Sequence, residues 1–396
     1  MTLVGLIGLL LAISSVYVVS FKGSRQRLVV FVSLLVMHTL ASGAFYLYAQ
    51  VSGSDAQFYY YDPGRFYGHT SGLGTALILN AVQITKERFG GTFFDYFMIF
   101  NAIGFWGLVF ITKTFNEIFE ELEVPEGPWV YLPVFLPGLH FWTGFIGKDA
   151  PLFLAVSLAI WACMRLNKRL VAMGISLIIM LAARPHIAVL ALVAIGLSVV
   201  LDPKRKLWVK ALFVVGALSG TGYIVTGMES TYGINVSSAE GVSEFMAGRS
   251  SVTEESGADI SIVQANFPVK VLSLWLRPFF YDAENLMSYV ASLENAALLI
   301  IFAFILRHLR LTRKLFKKVL YIRFSVLFFI ALTALVAAVN FNVGLGLRQK
   351  MMAMPCLLAL LATLIAARSA SQQQAPSAGD HLDIGRGAQK LAAGAK

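Results

Sequence analysis

The chain has 396 residues, of which 57% are hydrophobic and 14% charged, with a formal net charge of +10. A soluble domain carries roughly 25% charged residues, so a mean hydropathy of +0.71 excludes a water-soluble enzyme. The apolar residues form runs of roughly 15–20, each about long enough to cross a ~30 Å hydrocarbon core as a helix. The ~10-residue alternation of a membrane β-barrel is not seen.

The fold class is therefore all-α: a polytopic membrane protein with about 11 transmembrane helices, within a range of about 10–12. The predicted spans are 1–20, 28–49, 93–112, 128–146, 151–164, 170–183, 187–201, 207–227, 290–306, 324–340 and 351–367. They make one transmembrane domain over 1–367, with long outer loops at about 50–92 and 228–289. The first span has no basic residue before it, so it reads as a retained helix, with cleavage after Ser20 as the alternative. The tail 368–396 is rich in Ala, Gly, Ser and Gln and is expected to be disordered and cytoplasmic.

Alternate loops are basic. The loops containing Lys22, Lys113, Arg165, Lys204 and Arg307, with the tail, hold 22 of the 32 Lys and Arg residues. Positive charge accumulates on the cytoplasmic side, which places the N-terminus outside and the C-terminus inside the membrane. The basic balance is thus a topology signal, and no nucleic-acid partner is expected. Phe115–Glu126, with five glutamates, reads as a solvated acidic helix or loop on the inner side. Cys163 and Cys356 fall inside spans and supply neither an external disulfide nor a metal site.

The first outer loop opens with Asp55, Tyr59, Tyr60, Tyr61 and Asp62, followed by a glycine-rich stretch from Gly68 to Gly74. Residues 75–89 then predict an amphipathic interfacial helix. Asn80, Gln83 and Glu87 share one face, and Leu77, Ile78, Ala81 and Ile84 the other. Short outer turns carry Lys148 and Asp149, then Arg184 and His186, then Asn342, Arg348 and Lys350; the late outer loop ends at Arg277–Asp282.

Charges at the hydrocarbon boundary are costly unless paired or wet, and here several loops bring them to one side. An acid among arginines suits an anionic ligand. Arg184, Arg277 and Arg348 are candidates to grip a phosphate leaving group through the bidentate guanidinium fork. Asp55 is the candidate base for an acceptor hydroxyl. Lys148, Asp149, His186, Tyr60 and Asp62 are further candidates for binding substrate. No metal or other cofactor is predicted, although Asp55 and Asp62 are oxygen ligands of the type a divalent cation takes.

The early carboxylate followed by tyrosines and an interfacial helix resembles the first external loop of GT-C-type integral membrane glycosyltransferases. The stretches Pro137–Ala150, Arg277–Asp282 and Asn342–Pro355 are similar to segments of bacterial members from polysaccharide gene clusters and to O-antigen and exopolysaccharide polymerases. The resemblance implies a GT-C-like fold and a polyprenyl-phosphate- or diphosphate-linked saccharide donor used at the outer face of the inner membrane. It further implies a glycan acceptor, other polysaccharide-assembly proteins as partners and a role in cell-surface polysaccharide biosynthesis. A repeat-unit polymerase, or a transporter, flippase or scaffold of lipid-linked glycan, are the alternatives.

Overall fold

A computed structural model describes residues 2–15, 24–52, 54–62, 64, 73–232, 241, 265–339 and 342–373. The Ser20 junction, residues 68–72, most of the polar loop before Asn266, Asn340, Phe341 and the tail after Gln373 lie outside the described residues.

All regular structure among the described residues is helical: α1 (Leu3–Ser14), α2 (Arg25–Ser52), α3 (Asp55–Tyr61), α4 (Thr75–Phe89), α5 (Phe93–Leu122), α6 (Pro137–Phe141), α7 (Asp149–Met164), α8 (Leu170–Ala183), α9 (Pro185–Val200) and α10 (Leu207–Tyr232). After the second long loop come α11 (Phe267–Leu276), α12 (Leu286–Arg307), α13 (Leu309–Lys318), α14 (Leu320–Val339), α15 (Val343–Lys350) and α16 (Met354–Gln373). Among them, α2, α5, α12, α14 and α16 are long and apolar enough to cross a membrane. Shorter apolar helices, including α7, α8 and α9, complete a helical membrane bundle.

Helix α5 sits at the centre and packs on α1, α2, α7 and α16. Its start is fixed by a capping box: Thr92 accepts from the Asp95 amide, and Asp95 accepts from the Thr92 amide at 2.7 Å. The helix runs on to Leu122, so the acidic run is its last turns and not a separate solvated element. Glu117 pairs with Arg169, Glu121 with Arg165, and Glu120 and Glu126 with Arg27. Arg323 pairs with Asp202 at 3.1 Å, and Arg205 donates to Asn167 at 2.8 Å. The basic loops are thereby tied together at one end of the bundle, here called the basic end.

The predicted span 128–146 is not one helix. It comprises a 3-10 turn at Pro128–Phe135, the short α6, and a non-helical run to Lys148. Pro128, Pro133 and Pro137 remove amide donors and prevent a continuous helix. Glu126 is at the basic end and Asp149 starts α7, whose other end leads to Arg165; the broken segment therefore runs the depth of the bundle. Its non-helical run 143–147 is buried in protein, where irregular backbone is tolerated at membrane depth. Ser42 of α2 donates to the Gly144 carbonyl, and Glu294 of α12 accepts from the Gly138 amide.

Helix α4 forms over the predicted residues. Ala76, Leu79 and Val82 are buried, while Leu77, Ala81 and Ile84 face outward. Gln83 and Lys86 donate to the Tyr60 carbonyl, which holds α4 against α3. Helix α16 continues beyond the predicted span end at 367, through Arg368 to Gln373.

Candidate functional site

The end opposite the basic loops gathers charges from four separate parts of the chain. Arg348 on α15 is the centre. Its Nη1 donates to Asp55 Oδ2 at 2.6 Å and its Nε to Asp149 Oδ2 at 2.6 Å. Arg184 Nη2 donates to Asp149 Oδ1 at 3.3 Å. Lys148 Nζ donates to Thr75 Oγ1 at 2.9 Å, at the first residue of α4.

Local sequence places each group. Asn342 caps α15 by accepting from the Leu345 amide at 3.1 Å, which sets the helix that carries Arg348. Pro185 forces the residue before it out of the helical region. Arg184 accordingly has φ −151° and ψ 95°, ends α8, and turns toward Asp149. The Gly74 amide donates to the Ala182 carbonyl at 2.8 Å, joining the start of α4 to the end of α8 beside Arg184. The Arg348 guanidinium lies 5.0 Å from the Phe145 ring centroid, and Phe145 stacks on Phe45 at 4.1 Å.

The two carboxylates differ in access. Asp149 is 1% exposed, whereas the Asp55 side chain is 47% exposed at the mouth of the cluster. Burial pushes the Asp55 carboxyl up, but Arg348, Lys148 and Arg184 outweigh it and hold the group below the ordinary carboxylate range. Burial, with Arg184 close by, lowers Lys148 to about 8. Arg348, lowered by burial, is raised further by Asp149 and Asp55 and stays a cation. Three cations face two anions, so the cluster has a net positive charge.

Of the residues singled out in the sequence, Asp55, Lys148, Asp149, Arg184 and Arg348 come together. Asp149 is buried between the two arginines and holds them; it is not presented to a ligand as expected. His186 lies in the first turn of α9, two residues from Arg184. Arg277 forms a two-bond pair with Asp282, both bonds 3.1 Å. Tyr60 gives its hydroxyl to the Gly91 carbonyl at 2.7 Å and packs against Phe93 and Tyr96, so its role here is aromatic packing. Asp62 is exposed at the end of α3.

Sequence reasoning missed Thr75 and chose Tyr60 over its neighbour Tyr59 as a site residue. Tyr59 is buried, hydrogen-bonded to Thr75, and raised to about 12 by burial and by Asp55. It also missed a buried set behind the cluster. Lys350, 1% exposed, is two residues after Arg348, and residues two apart on a helix point about 200° apart. It donates inward to Asn295, whose amide donates to the Pro278 carbonyl at 2.7 Å. His38 and His140, both fully buried, have ring centroids 5.5 Å apart. Of this set the sequence reading named only Lys350, in the outer turn with Arg348; its hydrogen-bond partner is 55 residues away.

Compared with protein-family models, with curated proteins and with solved structures, the chain has no match.

Proposed function

We propose that the chain is a membrane glycosyltransferase that takes a polyprenyl-phosphate- or diphosphate-linked sugar at the Asp55–Arg348 cluster, in the assembly of a cell-surface polysaccharide. One observation carries this reading: a half-exposed carboxylate shares a guanidinium with a buried second carboxylate, with Arg184 and Lys148 alongside.

In the free protein Arg348 neutralises Asp55. An incoming phosphate competes for the same guanidinium and for Lys148, because charge-assisted Arg–phosphate bonds are the stronger kind of hydrogen bond. Asp149 stays on Arg348 Nε and Arg184, so both arginines keep their positions. Asp55 then loses the bond that depresses its basicity. The acceptor hydroxyl oxygen attacks the anomeric carbon, the bond from that carbon to the phosphate oxygen breaks, and its electron pair leaves with the phosphate. Arg348, Arg184 and Lys148 stabilise the charge that develops there. The hydroxyl proton passes to Asp55. A repeat-unit polymerase uses the same chemistry with a longer acceptor.

The test is sugar transfer or polymer output, normalised to membrane-inserted protein, for Asp55→Asn and Arg348→Lys. Asp55→Asn is expected to lose about 10²-fold or more, the lower range of general-base contributions. Arg348→Lys keeps charge but loses the planar fork, so output falls there too. Normal output from both well-inserted variants rejects the enzyme and leaves the transporter or scaffold reading. Loss of polymer with accumulation of single repeat units identifies the polymerase.

A further inference from the structure

A second feature lies at the basic end, far from the charge cluster. A groove of about 400 Å³ runs between α12, α16 and the 3-10 turn that carries Trp129. Its wall on α16 is ordered along the helix axis. Leu361 and Ile365 come first, then Arg368 and Ser369, then Gln372. These positions follow the spacing of one helical face, and Leu361 to Arg368 covers about 10 Å at 1.5 Å per residue. Ile301 and Phe304 of α12 supply the opposite apolar wall. The groove is thus apolar over most of its length and cationic at one end.

The cation is oriented. His308 Nδ1 lies 2.8 Å from the Phe304 carbonyl and therefore carries the proton donated to it, which leaves Nε2 as an acceptor. Arg368 Nη1 lies 3.3 Å from that Nε2. The remaining guanidinium donors of an exposed Arg368 stay available at the groove mouth. His308 leads directly into α13, which buries Leu311, Thr312 and Leu315 and exposes Arg310, Arg313, Lys314, Lys317 and Lys318. At the same end of the bundle, Glu117, Glu120, Glu121 and Glu126 are paired with arginines.

We propose that this groove is a binding site for an anionic phospholipid of the surrounding leaflet, its acyl chain along Ile301, Phe304 and Leu361 and its headgroup phosphate on Arg368. The apolar-to-cationic order matches the order of tail and headgroup. Basic pockets between transmembrane helices take anionic lipid headgroups of this kind. Trp129, 56% exposed, places an amphipathic ring at the mouth, where interfacial tryptophans sit.

The full chain in phosphatidylcholine bilayers is titrated with phosphatidylglycerol brominated on its acyl chains, or in parallel with brominated phosphatidylcholine. The Trp129 signal is the fluorescence quenching lost in Trp129→Phe. Brominated phosphatidylglycerol is expected to quench Trp129 with about five-fold higher apparent affinity, the preference one basic residue gives at a membrane surface. Arg368→Gln should abolish the preference, and Arg313→Gln on the exposed face of α13 should leave most of it. Equal curves for the two lipids, or quenching by neither, overturn the proposal. So does a preference that survives Arg368→Gln, or one that Arg313→Gln removes as completely, since the general charge of this end would then explain it.

Discussion

Asp55 and Asp149 are both held by Arg348, yet their burial assigns them opposite tasks. Removing one partner of a buried ion pair leaves an uncompensated charge and costs about 3–5 kcal/mol. Asp149→Asn, which strips both Arg184 and Arg348 of their buried counterion, is therefore expected to destabilise the purified protein. Asp55→Asn, at the half-exposed mouth, is expected to unfold near the wild-type temperature while losing transfer. Thermal unfolding in one detergent checks the pair, and equal melting losses would remove the distinction. Lys148 gives a pH prediction. Burial lowers it to about 8, so it is a cation below that pH and neutral above it. Capture of an anionic donor should weaken as pH rises through about 8, seen as a fall in kcat/KM, which reports groups of the free enzyme. Lys148→Arg, which remains charged, should flatten that limb. Asp55, Lys148, Arg184 and Arg348 were legible in the sequence because charge at the edge of an apolar run is costly and needs a reason. Arg277 and Tyr60 have the same edge placement, but they are satisfied by Asp282 and by the Gly91 carbonyl. Nothing in residue type or position reveals which partner a side chain selects.

At the scale of elements, apolar run length located the helices well and their continuity less well. Residues 128–146 are as apolar as a span, yet three prolines make the segment a broken strip docked in the bundle. Hydropathy counts side chains and is blind to missing amide donors. The acidic run was read as solvated for a related reason: Glu117, Glu120 and Glu121 continue α5 and pair with arginines of other loops, and those partners are remote in sequence. The docked strip depends on close approach to α5. A Cβ on Gly104 would overlap the Thr143 carbonyl, a backbone atom that no rotamer change can move. Gly104→Ala should then destabilise by at least the ~1–3 kcal/mol of an overpacked core. Gly43 on α2 has open space where its Cβ would be, so Gly43→Ala serves as the control and should melt at or above the wild-type temperature. If the two variants melt alike, the strip is not held by backbone contact at Gly104.

At the scale of the whole molecule, the bundle has two charged ends of different character. At the basic end, arginines tie loops to one another through glutamates; at the other, Arg348 joins α3, α7 and α15 around an exposed carboxylate. The grouping of loops by charge in the sequence is the same grouping that the ion pairs make in space, because a helix that crosses the bundle must alternate ends. The basic excess predicts which end faces the cytoplasm, and the proposed outer-leaflet donor requires that orientation. Glu87 is exposed on α4 near the Asp55 end, and Lys317 is exposed on α13 at the basic end. Cysteine at position 87 should react with an impermeant thiol reagent in intact cells, whereas cysteine at 317 should react only after the membrane is opened. Cys163 and Cys356 are buried and give a low background. Labelling of position 317 alone in intact cells would place the Asp55–Arg348 cluster in the cytoplasm. A nucleotide-linked donor would then reach the cluster, and a lipid-linked sugar displayed on the outer leaflet would not.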